Sequence, residues 1–251
     1  MLAKLAKAIS NQAFRTRFGQ MMLRLGINAT RHRVFAPRTA ALMEFDLARL
    51  KARAKHPANG AQITAPYDQL HFGCGARRIP GWLNVDVSNS DYDVDLASDL
   101  PWRDGQFSAI VAQQVIEHLE LQSELLPLLR ELRRVSKTGA EIWLSCPDMG
   151  LVCQSYGDDK GQGLVDDWLT RYRGPAPVAD MPSQHMINYL FHQSGEHRNL
   201  LDADLLTWAL MNSGFAECQQ VGEEQLLQRF PEFPPRRDGR YSLYMRASVS
   251  L

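Results

Sequence analysis

The sequence predicts an α/β fold, a mostly parallel sheet preceded by a helical arm, and three features predict it. Leu70-His71-Phe72 reads as a strand and runs into Gly73-Cys74-Gly75. A second strand candidate, Trp82-Leu83-Asn84-Val85, ends on the carboxylate of Asp86. From there to Cys146, strand, loop and helix patterns alternate, as a parallel sheet with right-handed crossovers requires.

Taken in order, the chain begins with a basic arm. Residues 1–60 hold 12 Lys and Arg against 2 Asp and Glu. By difference from the totals of 28 and 28, the remainder holds 16 against 26. Phe14, Phe18, Met21, Met22 and Leu25 fall on one helical face. Three readings stay open for residues 1–54. They pack on the acidic body or on a second copy in a homodimer, they rest on anionic lipid as a peripheral membrane contact, or they are a cleaved targeting peptide. His56-Pro57-Ala58-Asn59-Gly60 reads as a linker, giving an arm over 1–60 and a main domain over 61–251. Nucleic-acid binders usually carry basic charge on the body, so an acidic body argues against nucleic acid as partner. Four cysteines without paired spacing suit a reducing compartment. The expected location is cytoplasmic, or peripheral to the inner face of the membrane. No stretch reaches the roughly 20 apolar residues of a transmembrane helix.

Gly73 and Gly75 let the backbone turn sharply and approach a ligand. An acid at the tip of the next strand can accept both ribose hydroxyls of a nucleoside, which marks Asp86. Only Ala76 to Gly81 separate the glycine turn from the second strand, so the first crossover helix shrinks to about a turn. Asp95-Leu96 and Leu100-Pro101-Trp102 follow. Phe107 to Ala112 is a buried strand running into Gln113-Gln114-Val115-Ile116-Glu117-His118, where Glu117 and His118 open the next helix. Leu132 to Gly139 leads to the strand Glu141 to Ser145 and then to Asp148. Residues 150–201 are a long insertion, the place for a substrate lid. His185, His192 and His197 are spaced by seven and five residues with no cysteine or acid in a ligand pattern, so no metal is expected. Asp202 to Ser213 is an N-capped helix stopped at Gly214. Phe215 to Val221 and Tyr241 to Val249 are the final, antiparallel strands.

Between Leu70 and Phe215 this series of motifs resembles the class I S-adenosylmethionine-dependent methyltransferases. Gly81-Trp82-Leu83-Asn84-Val85-Asp86 is similar to the Gly-Trp-Ile-Asn-Val-Asp segment of small bacterial members found among polysaccharide-assembly genes. The resemblance implies a Rossmann-like sheet with one antiparallel edge strand, and S-adenosyl-L-methionine as cofactor. The backbone of Phe72, Gly73, Cys74 and Gly75 would line the pocket, and Asp86 would hold ribose. Asp95 and Leu96 would border adenine, and Gln113 and Gln114 the methionine moiety, with one of the two turning away. His118 would lie near the methyl group. His197 and Asp148 are the other candidates for a base, which a hydroxyl acceptor needs. His71 departs from the pattern, standing where many such enzymes carry an acid. The implied reaction is O-methylation of a small-molecule, sugar, glycan or lipid-linked acceptor in polysaccharide biosynthesis. A catalytically inactive binding or membrane-docking module is the alternative. A nicotinamide dinucleotide oxidoreductase would need glycine or alanine at Arg78 and a full helix after it.

Overall fold

The structure, a computed structural model, describes residues 37–55, 62–172, 176–178 and 180–250. The apolar face from Phe14 to Leu25, the linker at 56–60 and Gly174-Pro175 lie outside the described residues. Helix α1 (Pro37–Lys55) comes first. Strands β1 (Gln69–Phe72), β2 (Leu83–Asp86), β3 (Tyr92–Asp93) and β4 (Phe107–Gln113) follow. Then come α2 (Leu126–Val135), β5 (Ser136–Pro147), α3 (Met149–Asp159), α4 (Gln162–Arg171), α5 (His185–His192) and α6 (Ala203–Asn212). The chain closes with β6 (Ala216–Val221), α7 (Glu223–Arg229) and β7 (Ser242–Ser248).

The seven strands form one sheet in the order β3-β2-β1-β4-β5-β7-β6. The first five in sequence pair in parallel. The expected antiparallel strand is β7, which sits one place in from the edge, between β5 and β6, and runs against both. This is the Rossmann-like class I arrangement. Strand β4 is nearly continuous apolar sequence because both of its faces are covered, and only Ser108 along it is not buried. Leu128, Leu129, Leu132 and Val135 of α2 cover one face of the sheet. Trp82, Phe230 and Phe233 cover part of the other.

No helix intervenes between β1 and β2, as the short spacing predicts. A single side chain clasps that loop instead. Buried Asn84 accepts from Ile79 N at 2.7 Å and donates to the carbonyls of Ile79 and Trp82 at 3.0 Å each. The glycine turn is thereby fixed without the usual crossover helix.

Helices α3, α4 and α5 make a small core of their own, from Val152, Leu164, Val165, Met186, Ile187 and Leu190, closed by Tyr241. Helix α6 is capped as predicted, with Asp202 accepting from Leu205 N at 2.8 Å. The described part of the arm packs on the acidic body. Arg49 reaches Asp95 at 2.9 Å and Glu124 at 3.0 Å, and Lys55 reaches Asp93 at 2.5 Å. Among the described residues no helix is long and apolar enough to cross a membrane.

Candidate active site

The carboxyl ends of β1, β2, β4 and β5 converge on one edge, where ligands of open parallel sheets bind. Gly73 and Gly75 have φ of +68° and +52°, the left-handed region that disfavours side chains. They differ in surroundings. A Cβ on Gly73 would come within 2.2 Å of Val115 Cγ2, whereas one on Gly75 would meet open space. Gly73 is therefore glycine for packing, whereas Gly75 borders open space. Phe72 and Cys74 contribute backbone only, since both side chains are buried. Burial pushes the Cys74 thiol up to about 11, so it stays protonated and inert.

Asp86 closes the turn. Its Oδ2 accepts from Gly75 N at 2.8 Å and its Oδ1 from Val87 N at 2.6 Å. A carboxylate offers about four acceptor positions, so about two remain for a vicinal diol. These residues fit the ribose of S-adenosylmethionine. At the end of β4, Gln113 is buried and its Nε2 has no partner among the described residues. Ser145, paired with Gln113 in register on β5, likewise has a buried hydroxyl without a partner among those residues. Two unsatisfied polar groups at this edge fit the polar amino-acid end of the same cofactor. Gln114 is the residue that turns away: with φ of +59° it donates to Ser242 Oγ at 3.0 Å.

Two expected roles meet a different geometry. Asp95 is 1% exposed, and its carboxylate is already engaged by Arg49, Arg53 and Ala97 N. An adenine amine would have to compete with two guanidinium groups for it. Leu96, half-buried against the core, stays available to pack on a ring. Asp148 is engaged as a helix cap, its Oδ1 accepting from Gly150 N at 2.8 Å and Leu151 N at 3.3 Å at the start of α3.

Glu117 and His118 do not open a long helix. They lie on one 3₁₀ turn, Ile116–His118, separated from α2 by extended residues at Leu119 and Glu120. The loop carrying His197 is bound to this turn by its backbone, with Arg198 N and Asn199 N donating to Glu117 O at 2.7 and 3.1 Å. Asn199 Nδ2 donates to Leu119 O. This clamp sets the rings of His118 and His197 edge to face, 4.9 Å apart. Nδ1 of His118 faces Glu196 O at 3.3 Å, and Nδ1 of His197 faces Leu190 O at 2.6 Å. A carbonyl only accepts, so Nδ1 carries the proton and Nε2 is left bare on both rings. Burial holds both imidazoles below their ordinary value, which keeps them neutral at pH 7.

Beside them Glu117 is 2% exposed, and burial raises its carboxyl to about 8. Its Oε2 has no partner among the described residues. Sequence reasoning passed over this side chain; the available signal was an acid directly before the candidate histidine. It also missed a basic cavity. A space of about 500 Å³ is lined by Arg77, Arg171, Arg236 and Arg237, with Asp167 and Tyr172. Arg171 is paired with Asp167 at 2.7 Å and Arg236 with Asp238 at 3.0 Å. The side chains of Arg77 and Arg237 have no acceptor among the described residues.

Residues 70–144 match the family model of a methyltransferase domain. No curated protein matches the chain. Solved structures of similar shape include a possible exported protein of Bordetella parapertussis. It is 11% identical over 75% of this chain and 63% of that one, with a TM-score of 0.43. The chain thus spans less than two thirds of that protein. A possible histamine N-methyltransferase of Thermotoga maritima is 13% identical over 75% and 84%, with a TM-score of 0.43. Phosphoethanolamine N-methyltransferase 2 of Haemonchus contortus, solved with S-adenosyl-L-methionine, is 11% identical over 75% and 50%, with a TM-score of 0.40. Likenesses this distant decide nothing about the reaction. The matched segment spans β1, the glycine turn, Asp86, β4, His118 and most of β5. Over residues 70–144 the chain is similar to a methyltransferase domain, and the order of its sheet agrees with that likeness.

Proposed function

We propose that this domain transfers the methyl group to a hydroxyl of a sugar, glycan or lipid-linked intermediate. The observation that carries the cofactor half is the closed turn, in which Gly75 N is bonded to Asp86 Oδ2 within the matched domain. S-adenosylmethionine supplies an activated methyl on sulfur, so what the protein adds is alignment, desolvation and a proton acceptor. Asp86 holds the ribose, Gly73 to Gly75 supply backbone, and Gln113 and Ser145 satisfy the amino-acid end. The bare Nε2 atoms of His118 and His197 can take the proton of an acceptor hydroxyl.

The acceptor half is supported by the basic cavity. Arg77 lies two residues past Gly75, and Arg236 is joined through Asp238 to Gln114 at the end of β4. Planar guanidinium groups suit phosphate oxygens, and a phosphorylated or lipid-diphosphate sugar presents these close to its hydroxyls. The helices of residues 150–201 would serve as the lid over that acceptor. A cytoplasmic site suits activated sugars, and a basic arm at 1–54 suits a lipid-linked one at the inner face of the membrane.

Calorimetric titration with S-adenosylhomocysteine is the first test. No binding would overturn the proposal. Methyl transfer to phosphorylated and unphosphorylated sugar acceptors is the second. The double substitution Arg77→Ala, Arg237→Ala should raise the acceptor KM roughly tenfold or more, with S-adenosylhomocysteine affinity unchanged. Equal effects on both ligands would remove the anionic acceptor. Binding without turnover on any acceptor would favour the inactive module.

A further inference from the structure

Glu117, His118 and His197 each offer one ligand atom, and these atoms all lie within 4.8 Å of one another. The three side chains come from two segments nearly 80 residues apart, joined by the backbone clamp at Glu117 O. Each imidazole already has the support that a metal ligand carries. Its Nδ1 proton is committed to a main-chain carbonyl, which fixes the ring and leaves Nε2 free to coordinate. The acid adds an independent sign. Glu117 is almost wholly enclosed, yet its Oε2 has no donor among the described residues. A buried carboxyl oxygen without any hydrogen-bond partner costs free energy unless something absent from the protein itself satisfies it.

We propose that Glu117, His118 and His197 form the seat of one divalent transition-metal cation. Two imidazoles and one carboxylate suit zinc, manganese or ferrous iron better than magnesium or calcium, whose preference is for oxygen. Three protein ligands leave coordination positions open. In a methyltransferase such a position would take the acceptor hydroxyl and make it more acidic, its proton passing to solvent. The Nε2 atoms would then be ligands, and alignment of the hydroxyl would replace direct proton abstraction by histidine. That role rests on the methyltransferase reading, whereas the seat itself does not.

The test uses full-length protein freed of metal by chelation and titrated with Zn²⁺ and with Mn²⁺. Calorimetry reads both ions and electron paramagnetic resonance reads Mn²⁺. One ion per chain is expected. Glu117→Gln and His197→Ala should each weaken binding by at least about tenfold, while His192→Ala, at an exposed histidine of α5, should not. If His197→Ala fails to fold, X-ray absorption of the wild-type zinc protein should still show two imidazole nitrogens. Absence of stoichiometric binding, equal binding by both site variants, or a spectrum without imidazole ligands would overturn the seat. S-adenosylhomocysteine titrated into the same samples separates the two readings. If it binds while no ion does, only the cation is lost. If an ion binds and it does not, only the methyltransferase reading is lost.

Discussion

Around the glycine turn, the polar groups of β1 and β2 are bonded to one another. Gly75 N meets Asp86, Val87 N meets the other oxygen of Asp86, and Asn84 clasps the loop between them. Across the sheet the situation is reversed. Of the five buried side-chain atoms without a partner among the described residues, three belong to Gln113, Glu117 and Ser145 at the ends of β4 and β5. The first half is a finished cradle made from 14 consecutive residues, 73–86. The second is assembled from distant segments and holds polar groups left open to a ligand. The difference separates preorganised binding from a site whose satisfaction is deferred to its ligands.

The comparison breaks first at Asp86. Asp86→Ala removes the ribose acceptor and the partner of Gly75 N together. Charge-assisted hydrogen bonds contribute about 1.5–3 kcal/mol each, so S-adenosylhomocysteine affinity should fall by roughly two orders of magnitude or more. Calorimetry beside a thermal melt reads both consequences. Affinity within threefold of wild type would mean that the closed turn is structural only.

The two glycines should then part company. Gly73→Ala places a methyl group inside van der Waals contact of Val115 at positive φ. Overpacking and left-handed strain together cost about 2–5 kcal/mol, visible in urea denaturation. Gly75→Ala meets no atom, so it should cost only about 1–2 kcal/mol of strain while weakening cofactor binding. Equal stability losses would erase the distinction between packing and pocket.

A third substitution concerns the arm. Asp95 is enclosed, and Arg49 and Arg53 neutralise it. Arg49→Ala with Arg53→Ala should destabilise the fold by about 3 kcal/mol, the usual consequence of leaving a buried charge unpaired. Adding Asp95→Asn should restore much of that. If the double variant instead binds S-adenosylhomocysteine tenfold more tightly, Asp95 is an adenine residue that the arm withholds.

What could be read from the sequence follows the same division. The succession of strands along the chain, the absent crossover helix and the turn from Gly73 and Gly75 to Asp86 are local, each visible within a dozen residues of its partner. The capping role of Asp148 is local too: an acid followed by Met149-Gly150-Leu151 at the head of a helix is a cap. Asp95 could not be read correctly, because its partners lie 46 and 42 residues upstream. Only the opposite charges of arm and body hinted at them. The histidine pair could be guessed as two candidates, but their meeting depends on main-chain bonds from residues 198 and 199 that leave no mark on side-chain pattern.

His71 gives the subtlest test, since it lies just before the finished half, on β1, and replaces an acid expected by resemblance. It is 3% exposed, its Nδ1 donates to Asn84 Oδ1 at 3.1 Å, and its ring meets the edge of Phe233. Burial lowers its pKa from 6.5 to about 4, with the Asn84 bond opposing the shift only in part. The folded state therefore binds this proton more weakly than the unfolded chain. Stability from this group is complete above pH 6.5 and is lost as pH falls toward 4, amounting to about 2 kcal/mol by pH 5. Urea denaturation at pH 7 and pH 5 should show that loss, and His71→Phe should flatten it while lowering stability at pH 7 through the missing hydrogen bond. Cofactor affinity should not change, because the ring is turned to Asn84 and Phe233 and not to the glycine turn. An imidazole resonance of His71 titrating near 6.5 would contradict its enclosure. A loss of S-adenosylhomocysteine binding in His71→Phe would place the ring in the pocket, and the finished half would then extend two residues further back, into β1.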